Sequence, residues 1–208
     1  MKKKATLVVI VISIGLLCHG SWKSLAQPVH ATSDIPDPER LFPKYRYDGL
    51  TLAPAPVDLN GDSKMLASLV DAHLWKFAAK LTKANTDVIC DLEVREKGKP
   101  TEVLCTFAFK PFDMDGKTRQ DYLHFGVLPM NGDLATGDKI KCQISAAGRT
   151  FGSIVDNPFK GGVMMGTPGS DPAQSDIAIF DARVRIGDGR ASFRDLTLFL
   201  NFKTKPHV

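Results

Sequence analysis

The chain has 208 residues, of which 43% are hydrophobic and 24% charged, and its formal net charge is +4. This composition is that of a globular protein and excludes a collagenous, coiled-coil or wholly disordered chain. The excess positive charge lies in four lysines that precede Gln27, so the rest of the chain is neutral. A neutral chain without a basic stripe argues against nucleic acid as a partner.

The first 26 residues show the order of regions that is typical of a secretory signal peptide. A basic segment (residues 2–4) precedes an apolar run (residues 5–18), and the small residues Ser24 and Ala26 precede a predicted cleavage site before Gln27. The apolar run is shorter than the ~20 residues of a membrane-spanning helix. We therefore expect a periplasmic or secreted chain with no stable transmembrane span after cleavage.

The cysteines give two further expectations about the exported chain. Lipid attachment at Cys18 is an alternative to cleavage before Gln27, but the bulky Leu17 disfavours it. Export also makes disulfides possible. Beyond the leader the chain has Cys90, Cys105 and Cys142, so one intramolecular bridge can form and one thiol remains.

The chain after the leader divides into a proline-rich arm or linker, residues 27–57, and a single β-rich domain, residues 58–208. Met65, Leu66, Leu69 and Val70 recur at helical spacing, which predicts a short helix with Asp62 or Ser63 as its N-cap that ends near Asp71. Residues 73–82 fit both a strand and a continuation of the helix.

A hairpin is predicted in the next segment. Apolar residues alternate with polar ones in two runs that flank a turn centred on Lys97 and Gly98. Pairing residues whose numbers sum to 195 places Cys90 opposite Cys105, with every inward residue facing another inward residue. This register predicts a Cys90–Cys105 disulfide and leaves Cys142 as a free, buried thiol.

Further runs of alternating hydrophobicity predict most of the remaining strands. Between them, Gly-containing turns are short enough for antiparallel neighbours. The fold class is therefore mainly β, an antiparallel β-sandwich with one short N-terminal helix, and a barrel is the alternative. The predicted strands are residues 122–128, 139–145, 150–155, 180–186 and 196–202.

Residues 156–175 interrupt this rhythm, because they are rich in Gly and Pro and show no period. The apolar residues Phe159, Val163, Met164 and Met165 are concentrated at the middle of the segment. Two interpretations remain open. The segment is a mobile loop that binds a ligand or partner, or its apolar residues close one end of the sandwich.

Three aspartates suggest a metal site. Asp113 and Asp115 precede Gly116 at alternate positions, and Asp121 follows. Calcium prefers several carboxylate oxygens on a tight turn, so calcium is the one cofactor that the sequence suggests. An ordinary Asp-Gly turn explains the same residues without a metal.

The remaining sequence contains no nucleophile elbow, HExxH helix, CxxC pair or phosphate loop. We therefore expect a binding or structural module of the cell envelope or extracellular space, with an unknown protein or carbohydrate as its ligand. A small exported hydrolase that uses His124 or His73 is one alternative. An oligosaccharide-binding barrel is the other.

Overall fold

The computed structural model describes residues 35–41, 43–83, 86–109, 119–146, 149–166, 176–186 and 192–206, without the side chains of residues 119, 164 and 165. These ranges contain one α-helix, α1, and eleven strands. The strands are β1 (Tyr45–Tyr47), β2 (Leu50–Ala55), β3 (His73–Leu81), β4 (Thr86–Glu96), β5 (Glu102–Phe109), β6 (Arg119–Pro129), β7 (Lys139–Ala146), β8 (Arg149–Asp156), β9 (Gly162–Gly166), β10 (Ile177–Ile186) and β11 (Ser192–Pro206). Helix α1 spans Gly61–Leu69.

The strands form two antiparallel sheets that pack face to face. One sheet has the order β1-β2-β3-β6-β7-β8, and the other has the order β5-β4-β11-β10-β9. The predicted sandwich is confirmed, and the barrel alternative is wrong because the two sheets do not close on each other. The ambiguous residues 73–82 are almost entirely strand, since β3 pairs with β2 and β6 along its length.

Large apolar side chains from both sheets fill the space between them. Alternation along each strand directs every second residue inward, and these residues are buried on β4, β7, β10 and β11. Aromatic pairs join the sheets at several places. The Trp75 and Phe180 rings are 5.9 Å apart, and the Tyr47 and Phe202 rings are 5.5 Å apart. The core therefore extends across the sandwich rather than lying under one hairpin.

The register predicted for the β4–β5 hairpin is wrong by two residues over most of its length. Cys90 lies opposite Phe107, and Cys105 lies opposite Leu92. The observed register therefore does not support the predicted Cys90–Cys105 disulfide. Both of these residues and Cys142 are free thiols in this structure.

A β-bulge accounts for one residue of the shift. The turn lies at Lys97 and Gly98, as predicted, but the pairs next to it are already offset by one residue. Leu104 adds the second, as an unpaired extra residue of β5, because the pairing steps from Cys105 to Val103. An extra residue in one strand reverses the facing of the residues beyond it. Val103, predicted to face the core, is consequently exposed.

The predicted arm ends earlier than residue 57, because residues 45–55 form β1 and β2 of the six-stranded sheet. The prolines in this segment are the reason that the sequence predicted an arm instead of strands. Since β1 pairs only with residues 50–52, Pro54 lies where β2 is an open edge, and there the missing N–H removes no ladder bond on that side. The preceding turn also contacts this sheet, because Glu39 accepts hydrogen bonds from Thr51 at 2.8 Å and Arg46 at 2.7 Å.

The segment 156–175 was predicted to lack secondary structure, but Gly162–Gly166 form β9 at the edge of the five-stranded sheet. This strand pairs with β10, with an irregularity near its end. Its glycines weaken the sequence signal, because Gly has a low strand propensity. The sequence pattern therefore did not predict strand β9.

The outer face of the five-stranded sheet carries a network of charged and polar side chains. Asp91 accepts hydrogen bonds from Thr106 at 2.6 Å and from Lys203 at 2.7 Å. Glu93 accepts one from Asn201 at 2.9 Å. Both acids are buried, and a buried carboxylate is tolerated only when it is paired in this way.

Replacing Asp91 with Asn should lower the stability of the protein in a pH-dependent manner. Burial acts to raise the pKa of Asp91, but the hydrogen bonds from Lys203 and Thr106 outweigh it and lower the pKa below its ordinary value. The carboxylate therefore stabilises the fold above its unfolded pKa of about 3.9, and this contribution is lost as the pH falls through the folded pKa.

We expect Asp91→Asn to cost about 1 kcal/mol at neutral pH, because Lys203 stays partly solvated after its partner is lost. The cost should shrink as the pH falls through the lowered pKa of the wild-type carboxyl, because that carboxyl is then protonated too. Urea unfolding at a series of pH values, from neutral pH downward, measures this. Asp195→Asn, which removes an exposed pair with Arg183, is the matched control and should have a smaller effect. A pH-independent cost at Asp91 would contradict the account.

Candidate functional site

Both ends of helix α1 are capped by hydrogen bonds within residues 60–72. Asn60, rather than the predicted Asp62 or Ser63, is the N-cap, and its side-chain oxygen accepts the Ser63 N–H at 2.8 Å. At the other end the Ala72 N–H donates to Ala67 at 2.8 Å, with Asp71 in the left-handed conformation at φ 49°. These bonds form a Schellman motif, which fixes where the helix ends.

The apolar side chains of α1 face solvent. Met65 is 58% exposed, Leu66 53%, Leu69 73% and Val70 46%, and no residue of the helix is buried. We call these four residues the α1 surface. Exposed apolar side chains on one face of a helix make that face a candidate interaction site.

Asp71 fixes the end of α1 to the rest of the sandwich. Its carboxylate accepts the Leu134 N–H at 2.9 Å, and it lies 3.3 Å from His73 Nε2. Asp tolerates the left-handed conformation because its short polar side chain bonds locally. The α1 surface is thus held in one place on the domain, although the helix itself buries nothing.

His73 does not have the surroundings of a catalytic base. Its Nε2 atom is buried and lies near the Asp71 carboxylate, but it makes no hydrogen bond. The ring packs against Trp75 at 6.3 Å and Phe180 at 6.4 Å between centroids. Among the described residues, no hydroxyl or thiol makes a hydrogen bond to this nitrogen, so no nucleophile is paired with it in this structure.

His124 lies elsewhere, on the outer face of the six-stranded sheet. It pairs across the strands with Lys76, and its ring is 6.2 Å from that of Tyr122. Desolvation by its neighbours, and then the Lys76 ammonium, lower the pKa of His124, whereas Asp121 acts in the opposite direction. The two histidines therefore lie in separate environments and do not form one site.

The predicted calcium site is only partly within the described residues. Asp121 lies on β6, where its carboxylate accepts the Tyr122 N–H at 2.7 Å. Asp113 and Asp115 lie outside the described residues, as do the predicted leader and Cys18. In the part of the chain that is described, no group of three or more His, Cys, Asp or Glu side chains could hold a metal ion.

The four residues of the predicted binding loop do not share one environment. Phe159 is buried and packs on Phe180 with 4.8 Å between ring centroids, so it belongs to the core. Val163 is exposed on the edge strand β9. The side chains of Met164 and Met165 lie outside the description.

A cleft of about 700 Å³ opens between the ends of the two sheets. Eight apolar or proline residues and six charged residues line it, and among the charged ones Lys139 pairs with Asp156 at 2.7 Å. The described residues that line it include no aromatic, His, Ser, Thr or Cys side chain. The cleft therefore offers neither an aromatic stacking platform for a sugar ring nor a hydroxyl or thiol nucleophile.

Comparisons with known proteins identify no relative. No family model matches the chain, and neither the curated proteins nor the solved structures contain a match. In the described ranges, no helix is both long and apolar enough to cross a membrane.

The α1 surface was predictable only in part. Helical spacing correctly predicted the helix and the face on which its apolar residues lie. Spacing alone does not say whether that face packs on the domain or remains uncovered. The structure answers this, because no residue of the helix is buried.

Proposed function

We propose that this chain is an exported β-sandwich that binds another protein by placing α1 in an apolar groove of that partner. The observation that carries the proposal is the exposure of all four residues of the α1 surface. Amphipathic helices that dock in grooves use anchors at one-turn spacing, and Leu66 and Val70, or Met65 and Leu69, have that spacing.

The length of α1 supports a partner. A nine-residue helix that buries none of its side chains receives little stabilisation from packing, and isolated helices shorter than about 12–15 residues are marginal in water. Covering its apolar face would supply the missing stabilisation. The rigid sandwich and the two capping motifs hold the helix in place, which lowers the entropic cost of binding.

The charges around α1 favour a particular kind of groove. Between residues 57 and 72 the charged residues are Asp58, Asp62, Asp71 and Lys64, so acids outnumber bases. Asp58 and Asp62 are exposed beside the apolar residues. A groove with an apolar floor and a basic rim complements this arrangement and would steer association.

Export to the periplasm or the extracellular space is part of the proposal. It is supported by the order of the basic, apolar and small residues before Gln27. Attachment to the membrane through a lipid on Cys18 is the alternative. In either case the partner would be a protein of the envelope or the extracellular space.

Photo-crosslinking in cells that export the chain tests this function. A photoreactive residue in place of Leu69 should form an adduct with a different protein, and the crosslinked chain should begin at Gln27. The same residue in place of Phe193, which is exposed on the five-stranded sheet, is the control and should form no such adduct.

Three outcomes would contradict the proposal. An adduct of twice the chain's mass would indicate self-association through α1. Equal adducts from positions 69 and 193 would indicate non-specific contact. No protein adduct from position 69 would leave α1 without the proposed partner.

A further inference from the structure

Two cysteines from different sheets meet inside the sandwich. Cys105 lies on β5, opposite Leu92, and Cys142 lies on β7, where it is fully buried. The two thiols lie close enough for each to change the pKa of the other. In the observed register of the β4–β5 hairpin, Cys105 lies opposite Leu92 rather than Cys90, on the face of β5 that points toward the other sheet.

A second contact independently places β5 over β7 and β8. The rings of Phe109 on β5 and Phe151 on β8 lie 6.0 Å apart. Phe151 pairs with Ile144, two residues from Cys142, and Phe109 lies on the same face of β5 as Cys105. The two sheets therefore meet along this edge over at least two residues of each strand, and the thiol contact is part of a packed region.

We propose that Cys105 and Cys142 form a disulfide that joins the two sheets when the exported chain meets a disulfide oxidant. The oxidant is a disulfide oxidoreductase or a small disulfide such as oxidised glutathione. The Cys105 thiolate attacks the oxidant's S–S bond and releases one thiol. Cys142 then attacks the Cys105 sulfur of the mixed disulfide and releases the second thiol. Two cysteine thiols are oxidised, the oxidant is reduced to two thiols, and the two cysteine protons end on those products.

The surroundings of the two thiols assign these separate roles. Cys105 is only half-buried, so an oxidant can reach it, whereas Cys142 is enclosed. The interaction between the two thiols lowers the pKa of Cys105 and raises that of Cys142, and burial raises the pKa of Cys142 further. Cys105 is thus the attacking thiol and Cys142 the resolving one. Cys90 is fully buried opposite Phe107 and takes no part.

Peptide mapping of the purified chain after incubation with oxidised glutathione tests the pairing. Trypsin places the three cysteines in separate peptides, residues 84–95, 98–117 and 142–149. We expect a loss of two hydrogens and a link between the second and third peptides. The bridge closes a long loop between Cys105 and Cys142, and it should raise the Tm by about 10 °C over the reduced protein.

Variants separate this pair from other pairings. Cys90→Ala should keep the link, whereas Cys105→Ala should lose both the link and the Tm difference between oxidised and reduced protein. Mapping of the wild-type chain does not depend on whether any variant folds. A link that includes Cys90, or full alkylation of both Cys105 and Cys142 after oxidation, would overturn the proposal. The inference does not depend on the α1 surface.

Discussion

Phe180→Ala should lower the free energy of unfolding by about 3–5 kcal/mol and the Tm by about 10–15 °C. Phe180 is completely buried on β10, and its ring packs on Trp75 from the opposite sheet and on Phe159 from the loop before β9. Removing it leaves a cavity where three segments meet, because neighbouring rings can relax only partly. Thermal and urea unfolding of the purified protein measure the loss.

Phe193→Ala is the matched control for that substitution. Phe193 lies on the adjacent strand β11 and is 53% exposed, so its truncation should change the stability by less than about 0.5 kcal/mol. Equal losses from the two variants would contradict the assignment of faces on β10 and β11. A small loss from Phe180→Ala would contradict the packing of the core around this ring.

Alternation of apolar and polar residues predicted the faces of the long strands well. Ile140, Cys142 and Ile144 on β7 are buried as their spacing indicates. This signal is local, because a strand with one buried face must place its apolar residues at every second position. It therefore predicts which residues face inward without any knowledge of their neighbours.

Pairing between strands was less predictable. The bulge at Leu104 changes the register of β4 and β5. Strand β5 contains no glycine, the residue that most often predicts a bulge. The approach of Cys105 to Cys142 depends both on that bulge and on the packing of two sheets whose strands are distant in sequence. Contacts of this kind arise from the whole fold, so single-strand patterns do not reveal them.

The candidate site was predictable to a similar extent. The apolar face of α1 follows from helical spacing. Its exposure depends on how the helix is placed relative to the sheets, and spacing does not predict that placement. Conversely, His73 and Phe159 were singled out by chemistry and composition, and the structure places both against Phe180. The residue type alone does not predict that these two side chains lie in an apolar environment, because the fold determines their neighbours.

Replacing Leu66 and Leu69 together with Ala should weaken binding to the crosslinked partner about 100-fold. Truncating two central apolar anchors removes about 3 kcal/mol of binding energy in a helix-in-groove complex. Ala keeps the helix propensity high, so the loss reports on the side chains and not on unfolding of α1. Because both side chains are exposed, the Tm of the free protein should stay within about 2 °C of the wild-type value.

The comparison that decides whether α1 is the binding surface uses a second pair of exposed apolar residues. Val103 and Ile154 line the cleft and are 52% and 55% exposed, so truncating them to Ala removes similar side chains from another part of the surface. The Kd of the partner should rise about 100-fold for the α1 pair and stay within about threefold for the cleft pair. An unchanged Kd for the α1 pair, or an equal rise for both pairs, would contradict the proposed docking of α1.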